Sequence, residues 1–245
     1  MISSNARQSW NAIIVTLFPE IFPGALGTSV CGKALDRGIW SLKTFDIREF
    51  TTDKHKTVDS SPYGGGPGMI LRPDVLDRTL EAVSEIPGRR ICLSPRGRRF
   101  DQAFAKELAF EPGVVLVCGR YEGIDQRVIE AHEMEEVSLG DFVLSGGEIA
   151  AQALLDATVR LLPGVIGSEQ GLNEESFEGG LLEYPQYTYP RIWDGRAVPD
   201  VLLSGNHRKI ALWKKQQSEM VTRNYRPDLW EIYQSNKAQK VDFNN

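Results

Sequence analysis

The chain has 245 residues, of which 41% are hydrophobic and 25% charged, with a formal net charge of −5. This balance excludes a disordered or fibrous chain and fits one large domain, or one of roughly 150 residues plus a smaller one. The longest early apolar run, AIIVTLF (12–18), is too short to span a bilayer and lacks signal-peptide flanks, so the expected location is cytoplasmic. Cys31, Cys92 and Cys118 show no paired spacing and His55, His132 and His207 lie far apart, which argues against a disulfide framework and a zinc site.

In chain order, 12–18 predicts a buried strand, followed by a turn at PEIFP. A helix is expected around 28–38 and a second strand over 40–47. The polar stretch 48–69 is a long loop, and within it SPYGGGPGM (61–69) places four glycines and two prolines in nine positions. Such a segment is neither helix nor strand but a loop shaped around something. Helical spacing of Val75, Leu76, Leu80 and Val83 predicts a helix over 72–86. RRICLSPRG reads as a short strand running into a loop, 100–110 as an amphipathic helix, and VVLVC (114–118) as a strand running into GRYEGID. A short segment near 136–147 ends in a third glycine-rich loop, and 148–162 is a strong helix ended by Pro163.

The alternation of strand and helix argues α/β with a mainly parallel sheet. The polar, Gly/Glu-rich stretch 168–180, with Leu172 and Phe177 as its bulky apolar residues, reads as a linker between domains 1–167 and 181–245. Beyond it come an irregular aromatic stretch, a basic helix from Asn206 or His207 to about Glu219, and a last helix from Pro227 to about Asn236. Two segments are locally basic despite the acidic total: 88–100 carries five arginines and no acid, and 205–226 carries six Lys/Arg against one Glu. Such patches suit phosphate. The acidic run 130–137 is expected on an outer face or at a subunit contact.

In open α/β sheets a ligand sits beyond the carboxyl ends of the strands. Three loops hold such positions: LSPRG (93–97), GRYEGID (119–125) and LSGGE (144–148). None carries a dinucleotide fingerprint, a P-loop or a nucleophile elbow, and no Ser/His/Asp or Cys/His set stands out. What remains is a pocket lined mostly by main chain, suited to a small ligand with an adenine to hydrogen-bond.

The segments VTLFPEIF, DKHKTVDSSPYGGGPGM, LSPRGRRFDQ, LVCGRYEGIDQRV, GDFVLSGGE, RLLPGVIG, ESFEGGLLEYPQYT and PDVLLSGNH occur in that order. Together they closely resemble the bacterial tRNA (guanine-37-N1)-methyltransferases, of the SPOUT class, from about Ala12 to about Leu229. The resemblance implies a SPOUT-type parallel sheet with a deep trefoil knot and a small, mainly helical C-terminal tRNA-binding domain. It also implies a homodimer with each active site at the subunit interface. The methyl donor it implies is S-adenosylmethionine. Its site would take Cys92, Leu93, Ser94, Pro95 and Gly97 from the first loop, and Gly119, Tyr121, Glu122 and Gly123 from the second. Leu139, Gly140, Asp141, Phe142, Val143, Leu144, Gly146 and Gly147 would come from the third.

By the same resemblance Tyr63, Gly64, Gly65, Gly66 and Gly68 frame the target guanine, with Lys54, His55 and Asp59 just upstream. Asn206, as N-cap, and His207, Arg208, Lys209, Lys214 and Lys215 would meet the tRNA. Guanine N1 carries a proton at neutral pH, so methylation there needs a general base and a cation for the charge that shifts onto O6. Arg160 matches the family arginine in the second role. The family's base is an aspartate, and here its position reads Glu175, with Glu174 beside it. Magnesium is implied for the reaction, without a ligand cluster to place it. Further departures are Arg96 for a frequent Gln, Ala150 for a Pro and Tyr189 for an Arg. About nine extra residues precede the first strand and are expected to be disordered. A rival reading is a SPOUT enzyme acting on another RNA position.

Overall fold

The computed structural model describes residues 9–167, 171 and 174–242. The N-terminal extension expected to be disordered lies, for residues 1–8, outside the described residues, as does Leu172 of the linker. The chain forms two compact units, Met1–Gly167 and Ser168–Asn245.

The first unit runs β1 (Trp10–Thr16), α1 (Ser29–Asp36), β2 (Trp40–Asp46), β3 (Asp59–Ser60), β4 (Ile70–Leu71), α2 (Pro73–Glu81), β5 (Arg89–Arg99), α3 (Gln102–Phe110), β6 (Gly113–Cys118), α4 (Gln126–Ala131), β7 (Glu135–Ser138) and α5 (Gly147–Val159). Five strands make one sheet in the order β2-β1-β6-β5-β7, with every pairing parallel. The α/β class and parallel sheet are therefore as expected. Parallel strands are covered on both faces and so read as continuous apolar runs. In β1, Ala12 and Ile14 enter one core with Phe104, Leu108 and Leu154, while Ile13 and Val15 enter a second with Leu76, Leu80 and Val128. Helices α1, α3 and α5 thus cover one face, and α2 and α4 the other. Trp40 is fully buried without losing its indole hydrogen bond, because Nε1 donates to the Cys31 carbonyl at 2.9 Å.

Three differences from the expected elements have local causes. Helix α2 stops at Glu81 rather than 86, since Val83 N bonds Leu80 O and Ser84 N bonds Glu81 O, tightening the end into short turns. LSPRG is not a loop beyond a strand but part of β5, which pairs with β7 on both sides of a register shift between Leu93 and Arg98. At that shift Leu93 and Arg98 both face Val137, so residues 94–97 stand out of the ladder between them. The short α4 is an addition, started by Asp125, whose carboxylate accepts from Arg127 N at 3.0 Å.

The second unit holds a two-stranded hairpin of β8 (Ile192–Trp193) and β9 (Arg196–Ala197), then α6 (Asp200–Leu203), α7 (His207–Tyr225) and α8 (Pro227–Asp242). Asn206 caps α7, its Oδ1 accepting from Lys209 N at 3.1 Å. Helix α7 runs past the expected end to Tyr225. Buried Thr222 is tied there, its hydroxyl accepting from Leu182 N at 2.8 Å, and Pro227 sets the stop.

Candidate active site

Beyond the carboxyl ends of β6 and β7, and along the middle of β5, lies a pocket of about 690 Å³. Its walls are Cys92–Arg96 from β5, Gly119–Gln126 after β6, and Ser138–Gly140 with Phe142–Gly147 ahead of α5, with Pro62, Tyr63 and Ile70 at one side. Of the residues assigned by resemblance to the donor, all line this pocket except Gly97 and Asp141. Gly97 instead packs on the β7 backbone at Glu136 and Val137, where a side chain would collide, and Asp141 is exposed to solvent.

The glycine-rich segment is fastened to this pocket. Glu122 N donates to Met69 O at 2.9 Å and Leu71 N to Gly123 O at 3.0 Å. Gly64, Gly65, Gly66 and Gly68 have φ of +89°, +79°, +122° and +83°, a region that side chains resist. At Gly68 there is a second reason, because a Cβ would strike the Glu122 carboxylate. Tyr63 at the pocket edge is fully exposed. Lys54 and His55 are exposed on the preceding loop, and Asp59 pairs with Leu71 in the β3–β4 ladder. Tyr121, at φ +59°, is a non-glycine residue in the left-handed region within the pocket wall, the kind of backbone strain that clusters at functional sites.

Electrostatically the pocket contains acids at Glu122, Asp125 and Glu136 and guanidiniums at Arg96 and Arg120. The Arg127 guanidinium, hydrogen-bonded to Asp125, holds that carboxyl below the usual range. Burial, with Glu136 nearby, pushes the Cys92 thiol up to about 12, so the cysteine in the wall is a neutral apolar surface and not a nucleophile. Arg96 is tied to Glu136 at 2.9 Å and to Gln126 at 3.2 Å. All three cysteines are free and buried.

The arginine-rich segment 88–100 is not an open basic patch. Arg89 reaches Glu107, Glu111 and Glu135, and Arg98 reaches Glu107 and Glu135. Because β5 and β7 are sheet neighbours, Glu135 and Glu136 lie beside arginines of β5, and opposite charges across adjacent strands pair, whereas Glu130 and Glu133 stand exposed as expected. Residues of the pocket that motif reading passed over are Arg96, Arg120, Asp125 and Gln126. Arg120 and Asp125 stand inside GRYEGID beside the Gly119, Tyr121, Glu122 and Gly123 that the resemblance assigns to the donor.

Arg160 forms the C-cap of α5 in the first unit, half-buried, its amide bonded to Asp156 O. Glu175 belongs to the second unit, half-buried in a turn in which its carbonyl accepts from Glu178 N. His207, Arg208, Lys209 and Lys215 are exposed along the first turns of α7, whereas Lys214 is ion-paired with Glu174 at 2.8 Å. Among the described residues one group of potential metal ligands converges, Asp77, Glu81 and His132, and it lies outside the pocket lining. No helix among the described residues is long and apolar enough to cross a membrane.

A pocket walled by glycine-rich loops at the carboxyl edge of a parallel sheet defines an α/β protein with a cleft where such folds place a ligand. Residues 11–232 match the family described as tRNA (guanine-1)-methyltransferase TrmD, and the chain belongs to that family. It is 57% identical over 226 residues to the tRNA (guanine-N(1)-)-methyltransferase of Rhodospirillum rubrum, covering 92% of this chain and 95% of that protein. It is 57% identical over 231 residues to the protein of that name from Ruegeria pomeroyi, covering 93% and 95%. For the one from Cereibacter sphaeroides strain KD131 the identity is 54% over 242 residues, covering 96% and 97%.

Proposed function

We propose that this protein transfers a methyl group from S-adenosylmethionine to N1 of guanosine at position 37 of tRNA, beside the anticodon. The observation that carries the reading is the span of the family match, residues 11–232, which takes in the pocket walls, Arg160 and Glu175 together. The pocket fits the donor's chemistry. Leu93, Ile124, Leu139 and Leu144 offer apolar walls for an adenine, the glycine-rich main chain offers donors and acceptors, and Glu122 offers a carboxylate for ribose hydroxyls or a cationic sulfur. When bound, S-adenosylmethionine supplies an electrophilic methyl group.

The remaining work falls to the chain. Glu175 takes the N1 proton, making the ring nitrogen nucleophilic. Arg160 stabilises the negative charge that then develops on O6. Tyr63 and the glycines 64–68 frame the base, and the exposed cations of α7 hold the phosphates. A base carried on the segment after Gly167 can arrive with the tRNA, so that the proton is taken only in the full complex.

The family's trefoil knot, its tRNA-binding role for the second unit and its homodimer complete the reading. Exposed Phe142, Val143 and Ile149 beside the pocket support a subunit contact there, since isolated monomers seldom leave apolar side chains clustered in water. Magnesium has no matching set of oxygen ligands in the pocket walls, and the Asp77–Glu81–His132 group includes an imidazole that magnesium disfavours.

The test is methyl transfer from labelled donor to two tRNA transcripts that differ only in guanine or adenine at position 37. Label in the first alone, mapped to N1, is expected. Label in both would move the target to another nucleotide.

A further inference from the structure

Glu148 is 1% exposed, a carboxylate buried almost completely, and it does not line the pocket. It is the second residue of α5. One oxygen accepts from the Thr16 hydroxyl, at the end of β1, at 2.8 Å. The other lies 2.9 Å from Arg120 Nε in an ion pair, and neither of these two atoms has an aligned hydrogen-bond partner. A buried carboxylate is tolerated only when its charge is matched, and here Arg120 matches it.

Arg120 is gripped in turn. Its Nη1 donates to Ser145 O at 3.2 Å, its guanidinium stands 4.4 Å over the Phe18 ring, and its side chain fills the space a Cβ at Gly146 would need. Beneath it Gly147 N donates to Gly119 O at 2.9 Å. The guanidinium therefore bridges the loop after β6 and the loop before α5, which are facing walls of the pocket. Glu148 anchors that bridge to the sheet.

We propose that Glu148, acting through Arg120, is a positioning residue for the methyl-donor pocket: their buried ion pair fixes loops 119–125 and 144–147 at the spacing the donor requires. The inference rests on the donor reading given under Proposed function. A binding site built from loop main chain has no side-chain contacts of its own to hold its shape, so the shape must come from supporting residues. Here the support has one charge on each side and touches both walls. Its loss should be felt by the donor and not by the tRNA.

The experiment uses the full chain and the variant Glu148→Gln, which keeps the size and the Thr16 contact and removes the charge. Calorimetric binding of S-adenosylmethionine, KM for each substrate and the melting temperature are read together. The dissociation constant and KM for the donor are expected to rise about tenfold or more while KM for tRNA moves less than about twofold. Arg120→Ala should do the same, and the double variant should be no worse than the worse single one, because the pair acts as a unit. Should Glu148→Gln fail to fold, Arg120→Lys reads the same bridge, keeping the charge but losing the fork to Ser145. Normal donor binding by a folded Glu148→Gln, equal rises in both KM values, or multiplicative effects in the double variant would each overturn the proposal. A wild-type protein that binds no S-adenosylmethionine would overturn the donor reading itself, before any substitution is made.

Discussion

Lys214 Nζ and the Tyr184 hydroxyl both donate to the same carboxylate oxygen of Glu174, each at 2.8 Å. The Lys214 bond first, and the Tyr184 bond second, hold the Glu174 carboxyl below its ordinary range, while Lys214 is raised in return. A carboxylate stabilised in this way is a weaker base, which disfavours Glu174 as the group that takes the N1 proton. Glu174→Gln is expected to keep single-turnover methyl transfer within about threefold, whereas Glu175→Gln should lose roughly 10²–10⁴-fold, the usual contribution of a general base. Single turnover at saturating donor and tRNA measures both, and the reverse ranking would assign the base to Glu174.

The contact between Gly68 and Glu122 gives a second expectation. Gly68→Ala adds backbone strain of about 1–2 kcal/mol at φ +83° and also pushes a methyl group into the Glu122 carboxylate. Gly38, at φ +68°, carries the same kind of strain, but a Cβ there meets nothing within 4 Å. Both alanine variants should melt a few degrees lower. Only Gly68→Ala should raise the donor KM, and equal donor kinetics in the two variants would remove Glu122 from the donor site.

Much of the first unit was legible in the residues, and what was not has a physical cause. Buried parallel strands announce themselves as apolar runs, so β1 and β6 were placed within a few residues. LSPRG reads as a loop, and its residues 94–97 have no register partner in β7, yet β5 continues through them to Arg99 because a bulged strand tolerates Pro and Gly. The basic character of 88–100 was read correctly, but its consequence was not. Arg89 and Arg98 meet Glu107 and Glu135 only because β5 lies beside β7, a pairing that local sequence does not encode. Arg120 and Glu148 were visible as letters of two motifs, yet their meeting depends on the approach of two loops twenty-odd residues apart. The glycines drew attention because their conformational reason is local, and the arginine did not because its reason is tertiary.

The cysteines make a chemical prediction. Burial first, then the Asp156 carboxylate that accepts from its thiol at 3.3 Å, pushes Cys31 up to about 12; burial likewise pushes Cys92 to about 12 and raises Cys118. At pH 8 a thiol with such a value is ionised in about one molecule in 10⁴, and the thiolate is the reactive species. Native protein should therefore show no fast-reacting thiol toward a disulfide reagent at pH 8, and the denatured chain should show all three. One stoichiometric fast thiol in the folded protein would contradict this. The same shift has a sign for stability. A group whose value is raised by folding contributes fully below its unfolded value, about 8.5 for a thiol, and loses that contribution as pH climbs toward the folded one. The urea midpoint should accordingly fall between pH 8 and about pH 10.

The two basic segments should behave oppositely toward tRNA. Arg208 and Lys209 are exposed in the first turn of α7, just after the Asn206 cap, where their side chains can neutralise phosphates. Each phosphate contact adds about one unit to the slope of log affinity against log salt, so Arg208→Ala and Lys209→Ala should each weaken tRNA binding and flatten that slope by roughly one unit or somewhat less. Arg98 already shares its charge with Glu107 at 3.4 Å and with Glu135 at 4.0 Å. Arg98→Ala should leave both affinity and slope nearly unchanged, since a cation already neutralised by two carboxylates has little charge left to offer a phosphate. Filter binding of one tRNA over a salt series compares the three variants directly. A slope change at Arg98 equal to that at Arg208 would mean that tRNA breaks the β5–β7 ion pairs on binding and that the arginine-rich segment is part of its path.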